Sequence, residues 1–225
     1  MSALPSVVSS GSASLPSVSA SCSPSLARPA VSASPSSGLV AVCGGRSLPG
    51  AFAPLVGRVC RSLVGSGRSL VVGCAVGADA FVLSSGVPPS AVHVFAAFGP
   101  GGVGSCPVSN VAGVSAFAAA GGSVCWWRGG PRGVAVASRL VCRSQSVVVS
   151  ASAGLVCFFA SPQSRGSLLA CQLAAGRGLP VVAFACGFPA SALPLLGPGS
   201  WSAVGGSGCF SSGFRWVPAQ SSLFS

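Results

Sequence analysis

Leu39-Val-Ala-Val-Cys-Gly-Gly-Arg-Ser47 and Ser69-Leu-Val-Val-Gly-Cys-Ala-Val-Gly-Ala-Asp79 decide the fold. Each opens as a run of apolar residues too short for a core helix, stops at glycine and leads into a segment with helical spacing. Strands that are apolar throughout, rather than alternating, belong to a parallel sheet covered on both faces. Between the two stretches, 52–63 carries apolar residues at helical spacing with Arg58 and Arg61 on the opposite side, and Gly65-Ser-Gly67 stops it.

Working outward, the same texture recurs. Further strand-like runs fall at 91–95, 123–127, 146–149, 155–159 and 180–184, and helical segments at 79–85, 108–120, 133–144 and from the loop 161–167 to about 176. Strands alternating with helices predict an α/β domain of three layers with a mostly parallel sheet, Rossmann-like, spanning 38–188. Before it, residues 1–37 hold 15 Ser and 5 Pro without periodicity, which predicts a disordered tail. After it, 189–225 reads as a Gly/Ser/Pro-rich extension with one edge strand at 214–217.

Composition removes whole classes of chemistry. The 225-residue chain has 12 arginines, no lysine and one acidic residue, Asp79, giving a formal charge of +11. Mechanisms that need two carboxylates, and carboxylate-built calcium or paired-metal sites, are excluded within one chain. The 11 cysteines are odd in number, widely spread and never in C-x-x-C spacing, and a single histidine cannot complete a common zinc quartet, so no metal site is expected. Cys43, Cys74, Cys125, Cys157 and Cys186 lie in or beside apolar runs and read as small buried hydrophobes. Although half of the residues are hydrophobic, Gly, Ser, Pro or Arg interrupts every apolar run before the ~18–20 residues of a spanning helix. With no signal-peptide pattern at the N-terminus, the expectation is a cytoplasmic chain without membrane contact. The basic balance favours anionic partners such as nucleic acid or nucleotides, or else serves solubility.

Three turns carry candidate chemistry, because ligands of such folds sit beyond the carboxyl ends of the strands. The first holds Gly44, Gly45, Arg46 and Ser47. The second holds Gly73, Cys74, Ala75, Gly77 and Asp79. The third holds Gln163, Ser164, Arg165, Gly166 and Ser167. Glycines allow close backbone approach, free amides at helix starts attract anions, and Arg offers a forked cation suited to phosphate. None of these three turns matches G-x-G-x-x-G or G-x-x-x-x-G-K-[ST], so no cofactor bound through those motifs is expected at them.

The order of these turns resembles the SLOG superfamily, named for the Smf/DprA and "lonely guy" proteins, and within it the branch of DNA recombination-mediator (DNA-processing) protein A. That branch's Gly-Ser-Arg turn is similar to Gly45-Arg46-Ser47, with Ser and Arg exchanged. Its Gly-Gly-Ala-x-Gly-Ile-Asp turn is similar to Gly73-Cys-Ala-Val-Gly-Ala-Asp79, and its later Ser/Gly-rich turn to Ser164-Arg-Gly-Ser167. The resemblance covers 38–188. It implies a Rossmann-like protein that binds single-stranded DNA or a nucleotide, in DNA processing or recombination; apart from the resemblance, a homo-oligomer is a further expectation. The "lonely guy" branch uses Pro-Gly-Gly-x-Gly-Thr-x-x-Glu; this chain has no Glu, so that phosphoribohydrolase activity does not carry over. There is also no lysine to join Arg46 at DNA.

The alternative is a nucleotide-processing enzyme, or a sensor of a nucleotide signal, with Asp79 as its sole acid/base. Asp79 otherwise complements a helix dipole or accepts a hydrogen bond from a ribose or base. His93, mid-strand, reads as a packed residue rather than a general base. Trp126, Trp127 and Arg128 read either as packing under a loop or as a base-stacking platform.

Overall fold

The computed structural model describes residues 38–219, and the disordered tail expected at 1–37 lies outside them. Eight strands form one sheet in the order β4-β3-β2-β1-β5-β6-β8-β7. The first six are β1 (Leu39–Gly44), β2 (Ser69–Val72), β3 (Val92–Phe95), β4 (Ser123–Cys125), β5 (Gly154–Phe159) and β6 (Val181–Ala185), and all their pairings are parallel. Side chains alternate across the sheet. In β1, Val40 and Val42 enter the core layer containing α1 (Ala53–Gly65), α2 (Ala78–Leu83) and α3 (Val111–Ala119), whereas Ala41 and Cys43 face α4 (Val136–Ser150) and α5 (Arg165–Gly176). Both faces are therefore covered, and the three-layer, Rossmann-like α/β architecture is as the strand texture predicts.

Connectivity places the site. From β1 the chain winds outward through β2 and β3 to β4, then returns through α4 to pair β5 with the other side of β1. The strand order reverses at β1, so the helices after β1 and β5 lie on opposite faces and leave a crevice at the carboxyl end.

Three expectations need correction. The apolar run 146–149 is no strand; it is the last turn of α4. Its valines have strand propensity, but β1 is already flanked by β2 and β5, and a helix buries Leu140, Val147 and Val148 on one side. The strand expected at 123–127 ends at Cys125. Trp126 and Trp127 leave the sheet, Trp127 with a left-handed φ of 57°. The segment 214–217 is a strand, β8 (Phe214–Pro218), but it is not an edge strand: it pairs antiparallel with both β6 and β7 (Gly199–Ala203). The sheet thus continues past 188. β7, Gly-Ser-Trp-Ser-Ala, has too few apolar residues to be seen as a strand, and Trp201 packs edge-on against Trp216 at 5.2 Å. Among the described residues no helix is long and apolar enough to cross a membrane.

Candidate functional site

The carboxyl ends of β2, β1 and β5, neighbours in the sheet, open into one cleft of about 440 Å³. All three turns reach it. The first contributes Gly44, Gly45 and Arg46, the second Gly73, Ala75 and Asp79, and the third Ser164, Arg165, Gly166 and Ser167. Ser47 and Gln163 are exposed outside the cleft wall, while Cys74 is buried, its thiol accepting a hydrogen bond from Ala97 N–H at 3.3 Å. Gly77 lies behind the wall and joins two of the turns.

That joint is made of backbone. Gly45 N–H donates to the Phe158 carbonyl at 2.9 Å, tying the first turn to the end of β5, and the Gly45 carbonyl accepts from Ala78 N–H at 3.2 Å. Gly77 sits at φ 79°, ψ −127°, and a Cβ there would run into the Gly45 and Arg46 carbonyls. Only glycine permits this contact. Gly73 is required for a different reason: a Cβ would collide with the guanidinium of Arg143 and the carboxylate of Asp79.

Asp79 and Arg143 form a buried ion pair at the cleft floor. Arg143 Nη1 donates to Asp79 Oδ2 at 3.3 Å, with the two side chains 7% and 8% exposed, and the same oxygen accepts from Ala75 N–H at 3.0 Å. Burial pushes the Asp79 carboxyl above its ordinary value, while Arg143 and the Ala75 amide work against that shift. Among the described residues, Arg143 Nε finds no acceptor although it is fully enclosed. Arg143 lines the cleft and so brings positive charge to its floor, while its Nε stays closed to solvent.

The third turn adds helix amides. The first intrahelical bond of α5 is donated by Leu168 to the Ser164 carbonyl, so the preceding N–H groups of Arg165, Gly166 and Ser167 stand at the cleft without a partner in the helix. Arg46 and Arg165 are exposed at the rim. Three guanidinium groups and a helix N-terminus thus face one carboxylate, which leaves the cleft positive overall.

Other candidates lie elsewhere. His93 sits mid-β3 between Val71 and Ser123, and burial lowers its pKa, as for a packed imidazole. Trp126 packs against Phe98 at 6.0 Å, Arg139 lies 5.3 Å over Trp127, and Arg128 lies 5.1 Å over Phe95, all outside the cleft wall. Arg139 binds the carbonyls of Val134, Ala97 and Gly104 at 3.0, 2.6 and 2.9 Å, so it organises a loop. Cys74, Cys157 and Cys186 are buried as expected. Cys125 is exposed on short β4, and Cys43 is half-buried and lines the cleft. No group of three His, Cys, Asp or Glu side chains among the described residues could hold a metal ion.

Arg143 and Cys43 line the cleft but are absent from the site residues read from the sequence, as are Ser144 and the apolar wall of Val42, Val141, Val147, Val148 and Ala170. A signal for Arg143 does exist: Leu140, Arg143 and Val147 recur at i, i+3 and i+7, so the arginine falls on the helix's apolar stripe. Comparison with known proteins places no relative beside this cleft, since no family model matches the chain and no curated protein does either.

Proposed function

We propose that the chain is a non-enzymatic binder of a phosphate-bearing nucleotide, free or as a unit of single-stranded DNA, as its SLOG-like and DprA-like turns imply. The observation that carries this reading is the convergence of the three turns on one cleft floored by Arg143. The cleft volume lies in the range of small-ligand pockets, roughly 300–1,000 Å³. Helix amides, Arg46 and Arg165 match a phosphate dianion, and the Arg143 guanidinium adds positive charge at the cleft floor. The one carboxylate is held by Arg143 and Ala75 N–H, which favours positioning over proton transfer.

Titration of the full chain with nucleoside 5′-phosphates and with oligo-dT tests this reading. Binding is expected to weaken as salt rises from about 50 to 200 mM, because phosphate contacts release counterions. Arg46→Ala is expected to lower affinity about 10- to 100-fold with an unchanged unfolding transition. A charge-assisted contact contributes roughly 1.5–3 kcal/mol, whereas an exposed arginine contributes little to stability. Equal affinity in wild type and variant, or no binding by either, contradicts the proposal.

A further inference from the structure

Cys43 is the last residue but one of β1 and lies at the cleft wall, and its register partner on β5 is Cys157. Paired residues of neighbouring parallel strands point to the same face, where both thiols meet Cys171 of α5 in one core layer. Strand spacing of about 4.8 Å falls within the Cα separation a disulfide accepts, roughly 4.4–6.8 Å. Of the three, Cys43 alone is half-buried, while Cys157 and Cys171 are fully enclosed.

The charged groups facing Cys43 across the cleft are Arg143 and Asp79. Hydrogen bonds from Cys157 and Cys171, aided by Arg143 and opposed by burial, hold the Cys43 thiol well below its ordinary range. Burial pushes Cys157 and Cys171 well above theirs, and Cys60, in the opposite core layer, up to about 12. The lowered pKa and a place on the cleft wall therefore coincide at Cys43.

We propose that Cys43 is a peroxide-reactive thiol, resolved by Cys157, and that small hydroperoxides reach it through the cleft. The Cys43 thiolate attacks the terminal oxygen of the hydroperoxide. The O–O bond breaks, the alkoxide or hydroxide leaves with a proton, and Cys43 becomes a sulfenic acid. The Cys157 sulfur then attacks the Cys43 sulfur. The S–O bond breaks, hydroxide departs with the Cys157 proton as water, and an S–S bond remains. Two thiols and one hydroperoxide give one disulfide, one alcohol or water, and one further water. The peroxide is the oxidant and both cysteines are oxidised.

Cys43 shares the cleft proposed for the nucleotide, but the test is independent of nucleotide binding, because its readout is the mass of cysteine peptides. The full chain is treated with equimolar hydrogen peroxide, the remaining thiols are capped with N-ethylmaleimide, and the peptides are mapped. The expected product is a Cys43–Cys157 crosslink, reversed by a thiol reductant and formed on the order of tenfold faster than any oxidation of exposed Cys125. Cys43→Ser removes the crosslink and leaves Cys157 reduced. Cys157→Ala leaves a Cys43 sulfenic acid that dimedone captures. Should that variant fail to fold, brief dimedone treatment of wild type captures the same intermediate. Cys43 reacting no faster than Cys125, or bridging to Cys171 or to a second chain, overturns the proposal.

Discussion

Arg143→Ala is expected to destabilise the domain by about 3–5 kcal/mol at pH 7, the range for removing one partner of a buried ion pair. Asp79 would keep only the Ala75 N–H, 3.0 Å away, to balance its charge inside the protein. The double variant Asp79→Asn/Arg143→Met is expected to recover most of that loss, because neither buried charge remains and Met fills much of the volume. The pH profile gives a second check. Removing the cation raises the folded-state value of Asp79 further above its ordinary 3.8. A carboxyl raised in the folded state contributes stability that is fully present below the unfolded value and lost as pH rises through the folded one. The Arg143→Ala deficit should therefore be small near pH 4 and complete by pH 7. No other carboxylate side chain obscures this slope. His93 runs the opposite way, its folded value lying below 6.5, so its contribution is present above 6.5 and lost on acidification. Denaturant melts of both variants across this pH range decide the matter, and a deficit below about 1 kcal/mol at neutral pH would show a solvated pair.

Gly77→Ala is expected to cost about 3 kcal/mol or more and to abolish nucleotide binding. The backbone there has φ 79°, and the added Cβ would sit 2.5 Å from the Arg46 carbonyl oxygen, with the Gly45 carbonyl closer still. Strain at such an angle costs roughly 1–3 kcal/mol, and forcing two backbone segments apart costs a similar amount. The same movement would break the Ala78-to-Gly45 hydrogen bond that aligns the first two turns. Gly65→Ala, at the end of α1 with nothing within 4 Å, serves as control and should leave stability unchanged or raised by up to about 1 kcal/mol. Equal melting of the two variants would show that the joint between the turns is slack.

The central strands were legible because their burial on both faces leaves an unbroken apolar run, and glycine marks the ends of β1 and β2. β1, β2, β5 and β6 are of this kind, and the carboxyl ends of the first three define the crevice. Legibility fails where local propensity and tertiary context disagree. The valines at 147–149 look like a strand until the sheet has no free neighbour for them. β7 looks like loop because its stability comes from pairing with β8 and from one tryptophan contact rather than from its own residues. In the cleft, most turn residues could be placed from strand ends alone. Cys74 and Gly77 look like wall residues but act behind the wall: Cys74 points inward between Gly73 and Ala75, and Gly77 is pressed against the Gly45 and Arg46 carbonyls. Arg143 escaped because it approaches from α4, a hundred residues from the first turn, and charged residues on helices ordinarily face water.

The most direct measurement is a map of backbone amide shifts while a nucleoside 5′-phosphate is added to the isotopically labelled chain. The account predicts that Gly45, Arg46, Gly73, Gly166 and Ser167 move together with one saturating affinity. Amides at the opposite end of the sheet, such as Gly154 and Leu155, should stay still. Saturable shifts confined to that opposite end, or scattered over the exposed arginines without saturation, would contradict it.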